Sequence, residues 1–281
     1  MRSRGRCLRA LCRPGSQLRK TLDPAGPGVI SLAAMAKARK PRSGTRNRAR
    51  PGLLDGLARM IRRLLRWLVL GLVGMVALLI AWVGLYRFVD PPGGIYMLQE
   101  SRRLGEIRHE WVPMTRIAPV MARSAVAAED ANFCRHWGFD MAAIRAALDA
   151  GAGRGASTIS QQVVKNVFLW HGRSWARKAL EAMLTPVVET LWSKRRILEV
   201  YLNIAEFGTG IFGVEAAAQH HFNRSAADLT SRQSGLLAAV LPAPQSRNAA
   251  RPSDFVSRRA NSIADGAATI QRDGRAACFD G

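Results

Sequence analysis

Polar and apolar positions divide the chain into three stretches of different character. Up to about residue 52 Arg, Pro, Gly and Ser dominate, and such a segment carries too little apolar surface to fold by itself. WLVLGLVGMVALLIAWVGLY, residues 67–86, is then a run of twenty residues without a charge. A helix rising ~1.5 Å per residue over that length spans ~30 Å, the hydrocarbon thickness of a bilayer. The turn-rich DPPGG, residues 90–94, follows, and Ser101 to Pro113 is polar around an isolated Trp111, the pattern of an extended linker. From Thr115 the period becomes helical, with Ile117, Val120, Met121, Ala125 and Ala128 on one face. Residues 140–150, 157–169, 174–192 and 194–204 continue it, 229–244 reads as a helix stopped by Pro242, and 252–272 as a last one. No alternating run of β-branched residues appears. The expected architecture is mostly α: a basic tail over 1–66, a transmembrane helix over 67–87, a stem over 88–109, a helical domain over 110–272 and a C-terminal tail over 273–281.

Charge sharpens the middle of this picture. Of the net +22, residues 1–66 supply +16, from 18 Lys/Arg against Asp23 and Asp55. Arg62, Arg63 and Arg66 stand immediately before the apolar run. A core helix would keep a polar face. A cleaved signal would be shorter, nearer the start and followed by small residues at a cleavage site. The run reads as an uncleaved anchor, with the N-terminus in the cytoplasm and residues 88–281 outside. The basic tail is then a topology signal helped by anionic lipid rather than a nucleic-acid-binding arm. Met35 opens a second candidate start. On this topology Cys7 and Cys12 face a reducing compartment, whereas Cys134 and Cys278 face an oxidising one, where a disulfide between them is open. No C-x-x-C pair suggests zinc.

Four stretches can carry chemistry. In AVAAEDANFCRHWGFD, residues 125–140, an Ala-rich helix ends at Glu129 and Asp130. Adjacent acids lie ~100° apart on a helix, so one can enter a cleft while the other pairs locally. A desolvated carboxylate there gains proton affinity useful for acid–base work; the alternative is a solvated helix end, with His136 a packed histidine. In GASTISQQVVKNVFL, residues 155–169, Thr158 and Gln161 form a T-x-x-Q capping box, and Gly153 and Gly155 let a ligand approach the backbone. Thr158, Gln162, Lys165 and Asn166 share one face beside the apolar Ile159, Val163 and Val167. That face suits a phosphorylated or sugar-bearing ligand, or is simply solvated. HGRSWARKALEAML, residues 171–184, adds Arg173, Arg177, Lys178 and Glu181, either as helix-surface ion pairs or as a cationic cluster facing a diphosphate. KRRILEVYLNIAEFGTGIFGVEAAAQHHF, residues 194–222, with glycines at 208, 210 and 213, reads as structural framing.

Taken in order, Glu129-Asp130-x-x-Phe133-x-x-His136-x-Gly138, Gly155-Ala156-Ser157-Thr158-Ile159-Ser160-Gln161-Gln162-x-x-Lys165-Asn166, Arg177-Lys178-x-x-Glu181 and Ile197-Leu198-Glu199-x-Tyr201-Leu202-Asn203 resemble peptidoglycan glycosyltransferase family 51, over roughly residues 110–260. YLNIAEFGTGIFGVEAAAQ is most similar to its stand-alone, monofunctional branch, and none of the serine motifs of a transpeptidase is present. Three positions depart from the family pattern: Ser160 for the commoner Thr, Pro186 inside a helix that it is expected to kink, and Gln233-Ser234-Gly235 for the commoner Glu-Ala-Ala.

The resemblance implies a lysozyme-like helical domain on the outer face of the bacterial inner membrane. It implies polymerisation of lipid II by inverting transfer from an undecaprenyl-diphosphate donor to the GlcNAc 4-hydroxyl, giving β-1,4-linked strands. By the same resemblance Glu129 is the base and Glu181 the second carboxylate, in an orienting or metal-binding role. Lys165 and Arg173 stabilise diphosphate, and Ser157, Thr158, Gln162, Asn166, Arg177 and Lys178 shape the donor side. A divalent cation, Mg²⁺ or Mn²⁺, can assist, although no ligand set is evident. The implied partners are lipid II, the nascent strand, the membrane and other cell-wall or division proteins, with no nucleic acid. A lysozyme-like cleaving enzyme and an idle assembly scaffold are the alternatives.

Overall fold

The computed structural model of the protein describes residues 53–151, 155–172 and 174–280. The expectations about residues 1–52, Gly153 and Arg173 fall outside these. The anchor is a single helix, α1 (Leu53–Leu85). It begins inside the segment expected to be tail and ends two residues before the expected boundary. Leu, Met, Ile, Ala and Arg fill residues 57–66, all tolerant of helix, so nothing stops the apolar helix from propagating back through them. Its stretch Gly56–Leu85 is long and apolar enough to cross a bilayer and is almost entirely exposed.

The stem is likewise folded. Ile95–Leu104 forms α2, and Arg108–His109 forms β1. An extended linker was expected here because the polar positions of 101–113 have no periodicity of their own. Their partners lie far along the chain. After β1 come α3 (Pro119–Glu129), α4 (Met141–Asp149), α5 (Ile159–Phe168), α6 (Trp175–Leu191) and α7 (Lys194–Ile204). The glycine-punctuated stretch then supplies β2 (Glu206–Gly208) and β3 (Ile211–Phe212). The last elements are α8 (Val214–Phe222), α9 (Ser231–Val240) and α10 (Asp254–Arg272). In the small sheet β3 is central, parallel to β1 and antiparallel to β2. Two- and three-residue strands leave no alternation to read, which is why the sequence shows helices alone. The mostly helical class stands.

Helix α10 packs on α9 and α3, and α3 on α9; α5 packs on α6 and α7. These two groups meet where α3 touches α7, over a core that includes Met121, Phe133, Ile159, Ile197, Leu198, Tyr201, Leu202, Phe207, Phe212 and Leu237. The departures from the family pattern have local reasons. Ser160 is fully buried and its hydroxyl donates to Glu189, which also holds Lys194 at 2.8 Å. Helix α6 runs unbroken through Pro186. Gln233 completes a capping box with Thr230, as a glutamate would. A Cβ on Gly235 would lie 2.5 Å from the Ala260 carbonyl oxygen, so glycine sets the approach of α9 to α10.

The C-terminal segment is no free tail. Ala276 and Phe279 are buried, and Cys278 is bonded to Cys134, with Cα atoms 5.7 Å apart. At the other end α1 docks on the domain. The Trp192 indole donates to the Val83 carbonyl at 2.8 Å, and Trp82 meets Phe168 edge-on at 5.3 Å.

Candidate functional site

The two adjacent acids at the end of α3 divide their work. Asp130 is buried; it accepts from the Ile159 backbone N–H at 3.0 Å and pairs with His136 Nε2 at 2.7 Å. It thereby fastens the turn after α3 to the start of α5. Glu129 points into the seam instead, where Gln162 Nε2 donates to it at 2.9 Å. Burial raises its proton affinity; the Gln162 bond and then the charges of Arg259 and Lys165 work the other way. His136 is the packed, hydrogen-bonded histidine of the bland reading.

Thr158 begins α5 as expected, with the full capping box. Its hydroxyl also donates to the Gly138 carbonyl at 2.7 Å, and its side chain is buried. Thr158 therefore builds the wall of the site rather than lying open on the polar face. Gly138 has φ +86°, and a Cβ there would come 2.6 Å from Thr185 Cγ2. Both the left-handed backbone and the lack of room require glycine, which gives the His-x-Gly spacing its physical meaning.

From that start α5 carries Gln162, Lys165 and Asn166 into one cavity of about 420 Å³. Its other walls are Tyr96, His171, Tyr201, Glu206 and the turn from Leu241 to Ser246. Two buried polar atoms in this wall, Asn166 Oδ1 and His171 Nδ1, have no partner within the protein. Buried polar atoms are rarely left so, and a polyhydroxylated ligand would satisfy both. Burial and the neighbouring charges of Lys165 and Arg177 push His171 down to about 4, so it is neutral at physiological pH. Burial also lowers the proton affinity of Lys165, and Glu181 opposes this. A half-buried ammonium of this kind gains most from an anion.

Glu181 is buried within electrostatic reach of that ammonium. Arg177 Nη1 pairs with one of its oxygens at 2.7 Å and Lys178 with the other. The surface-pair reading fails for Arg177, whose side chain is 12% exposed; Lys178, at 41%, keeps an open side and reaches Ser157 Oγ at 3.4 Å. With both oxygens held by cations, Glu181 suits an orienting role and does not suit a metal ligand. Among the described residues no group of three or more His, Cys, Asp or Glu could hold a metal.

A second groove is lined by Glu129 together with Ala127, Ala128, Asp130, Asn132, Gly155 and Ser157. Ala127 and Ala128 also line a third opening with Phe255, Arg258 and Arg259 of α10. Glu129 thus lines the second groove and, through Gln162, adjoins the cavity that holds Lys165. Sequence reading did not single out Tyr96, Glu206, Gln245 or Arg259. The Tyr96 hydroxyl donates to Glu206 at 2.7 Å and accepts from Gln245 at 3.1 Å, a network drawn from the stem, β2 and the turn after α9. No local pattern could have joined them, although His171 and Glu206 stood inside stretches already marked.

Comparison with known proteins shows the family. The family model described as Transglycosylase matches residues 97–268. A protein of Jannaschia sp. (strain CCS1), named Biosynthetic peptidoglycan transglycosylase, is 62% identical over 242 residues, covering 86% of this chain and 99% of its own length. Proteins of the same name from Caulobacter vibrioides and Stutzerimonas stutzeri are 46% and 50% identical, over 79% and 72% of this chain and 99% and 87% of their own.

Proposed function

The chain belongs to the peptidoglycan transglycosylase family and is a peptidoglycan glycosyltransferase; from that premise we propose that it polymerises lipid II into linear β-1,4 glycan strands. The donor is a strand on undecaprenyl diphosphate, and the acceptor is the GlcNAc 4-hydroxyl of a second lipid II. Glu129 takes the hydroxyl proton as the acceptor oxygen bonds to the donor C1. The C1–O bond to diphosphate breaks on the opposite face, turning an α donor into a β product. Lys165 neutralises the departing diphosphate. Arg177, anchored by Glu181, keeps positive charge beneath it, and Lys178 and Ser157 border it. Gln162 aims the Glu129 carboxylate, and Asn166 and His171 receive sugar hydroxyls. A divalent cation would enter on the diphosphate rather than on protein carboxylates.

The observation that carries this reading is the arrangement on α5. Gln162 holds the desolvated acid, and one turn on, Lys165 lies within electrostatic reach of it. The base at the end of α3 is thus held by the same helix, α5, that carries the phosphate-neutralising cation. We also assign α1 to the inner membrane with the domain in the periplasm. The Cys134–Cys278 bridge supports an oxidising compartment, and the arginines preceding the apolar run support a cytoplasmic N-terminus.

Labelled lipid II supplied to the full chain in detergent is expected to yield a ladder of strands on a gel. Glu129→Gln is expected to abolish the ladder, a loss of about 10²-fold or more for a missing base, with the protein still folded by circular dichroism. A variant that polymerises at the wild-type rate would remove Glu129 from the chemistry. Release of fragments from polymeric peptidoglycan, with no ladder, would mean cleavage rather than synthesis.

A further inference from the structure

The most heavily fastened feature outside the catalytic cavity is the C-terminal segment after α10. Its contacts converge on the turn that follows the catalytic acid. Arg275 Nη1 donates to the Ala131 carbonyl at 3.1 Å, and the Phe279 ring lies 6.3 Å from that of Phe133. Arg195 Nη1 donates to the Phe279 carbonyl at 2.7 Å, and Arg123 pairs with Asp280 at 2.6 Å. The disulfide joins Cys278 to Cys134, in the 3₁₀ turn Phe133–Arg135. That turn belongs to the same loop as Asp130 and His136. Asp130 in turn holds the first N–H of α5, three residues before Gln162. A path of direct contacts therefore runs from the strap, through residues 131–136 and Asp130, to the start of the helix that aims Glu129.

We propose that the Cys134–Cys278 bond is a redox latch on catalysis: closed, it holds residues 273–280 as a strap that positions the acid-bearing turn; open, it lets that turn loosen and turnover fall. The proposal rests on the glycosyltransferase reading above. Both cysteines are half-buried, so the bond is within reach of a partner thiol. Opening is thiol–disulfide exchange with a dithiol protein of the oxidising compartment. One thiolate of that partner attacks a sulfur of the bridge and forms a mixed disulfide, and its second thiol resolves it. Two electrons and two protons pass to this chain, leaving two thiols here and a disulfide on the partner. Closing is the reverse, driven by an oxidised exchange protein. The cysteines are positioning residues, since neither lines the cavity that holds Lys165.

The test uses the full chain in detergent, reduced with dithiothreitol until thiol titration finds both groups free, and then reoxidised. Reduction is expected to lower kcat about tenfold, the scale of a small misplacement of catalytic groups. KM for lipid II is expected to hold within about twofold, because the donor-side cations sit on α5 and α6, and reoxidation should restore the rate. Cys278→Ser should have the lowered rate from the outset and ignore dithiothreitol. Amide hydrogen exchange provides a readout that needs no activity: residues 131–136 and Ile159 should exchange faster on reduction, while α7 should not. Equal turnover and equal exchange in the titrated, reduced protein would overturn the latch, as would a Cys278→Ser variant with full activity. If the oxidised protein makes no strands at all, the polymerase reading fails, and the exchange measurement alone decides whether the strap holds the turn.

Discussion

At the scale of single residues, the site depends on two groups whose burial opposes their charge. On the proposed mechanism Glu129 acts as the ionised base, so activity should rise as pH climbs through its raised pKa. On the same mechanism Lys165 would neutralise diphosphate only when protonated, so activity should fall as pH climbs through its lowered one. A bell-shaped profile follows. Removing a group that favours ionised Glu129 should move the acidic limb to higher pH; both Gln162→Ala and Arg259→Met are expected to do so, read from kcat/KM against pH. Lys165→Arg should carry the alkaline limb upward, because a guanidinium keeps its proton throughout the range. The acid limb has a counterpart in stability. A carboxylate whose proton affinity is raised by folding binds more protons in the native state, so stability falls as pH rises from the ordinary glutamate range through its raised pKa. Glu129→Gln lacks that cost and should melt no lower than the wild type at neutral pH while being inactive. A lower Tm for this variant would show that the charged form is favoured by folding.

At the scale of elements, the stem is the least expected part of the machinery. Gly94, at the start of α2, leaves no room for a side chain: a Cβ there would lie 1.6 Å from the Asn166 carbonyl oxygen on α5. Through this contact α2 lies against the substrate-facing helix and brings Tyr96 to His171, with ring centres 3.8 Å apart. Gly94→Ala should push the two helices apart, costing about 1–3 kcal/mol of overpacking. It should lower turnover as well, because the displaced residue is Asn166 itself. The pair of measurements is a melting curve and a strand-forming assay; retention of both at wild-type values would mean that α2 yields without moving α5.

At the scale of the whole molecule, a helix long and apolar enough to cross a bilayer is joined to a site for which a membrane-held substrate is proposed. The last turns of α1 are held by aromatic rings as well as by the peptide chain: Trp82 and Tyr86 lie against Phe168, and Phe168 against Trp192. Phe168 is the last residue of α5, so anchor and substrate helix share a contact. Trp82→Leu and Phe168→Leu, made singly and together in the full chain, should show a coupling of about 0.5–1.5 kcal/mol. Additive losses of Tm would mean that the anchor tethers the domain without bracing it.

What the sequence determined by itself is whatever rests on neighbours in the chain. The uncharged run fixed the anchor, helical periodicity fixed α3 to α7, α9 and α10, and T-x-x-Q fixed the cap of α5. These signals come from residues within a turn or two of each other, where spacing alone decides which side chains meet. The ordered motifs also picked out Glu129, Lys165 and Glu181, the groups on which the proposed mechanism rests. Tertiary structure decided the rest. It decided which of Glu129 and Asp130 faces the seam, because a helix end offers both. It turned Thr158 inward onto Gly138, and it set Arg259 of α10 near an acid 130 positions earlier. It folded the stem and the C-terminal segment into the domain, since β1 finds its partner in β3 and Cys278 finds Cys134 across a separation of 144 residues. A pairing of that length leaves no period and no local composition behind it. It exists only once the helices between have packed.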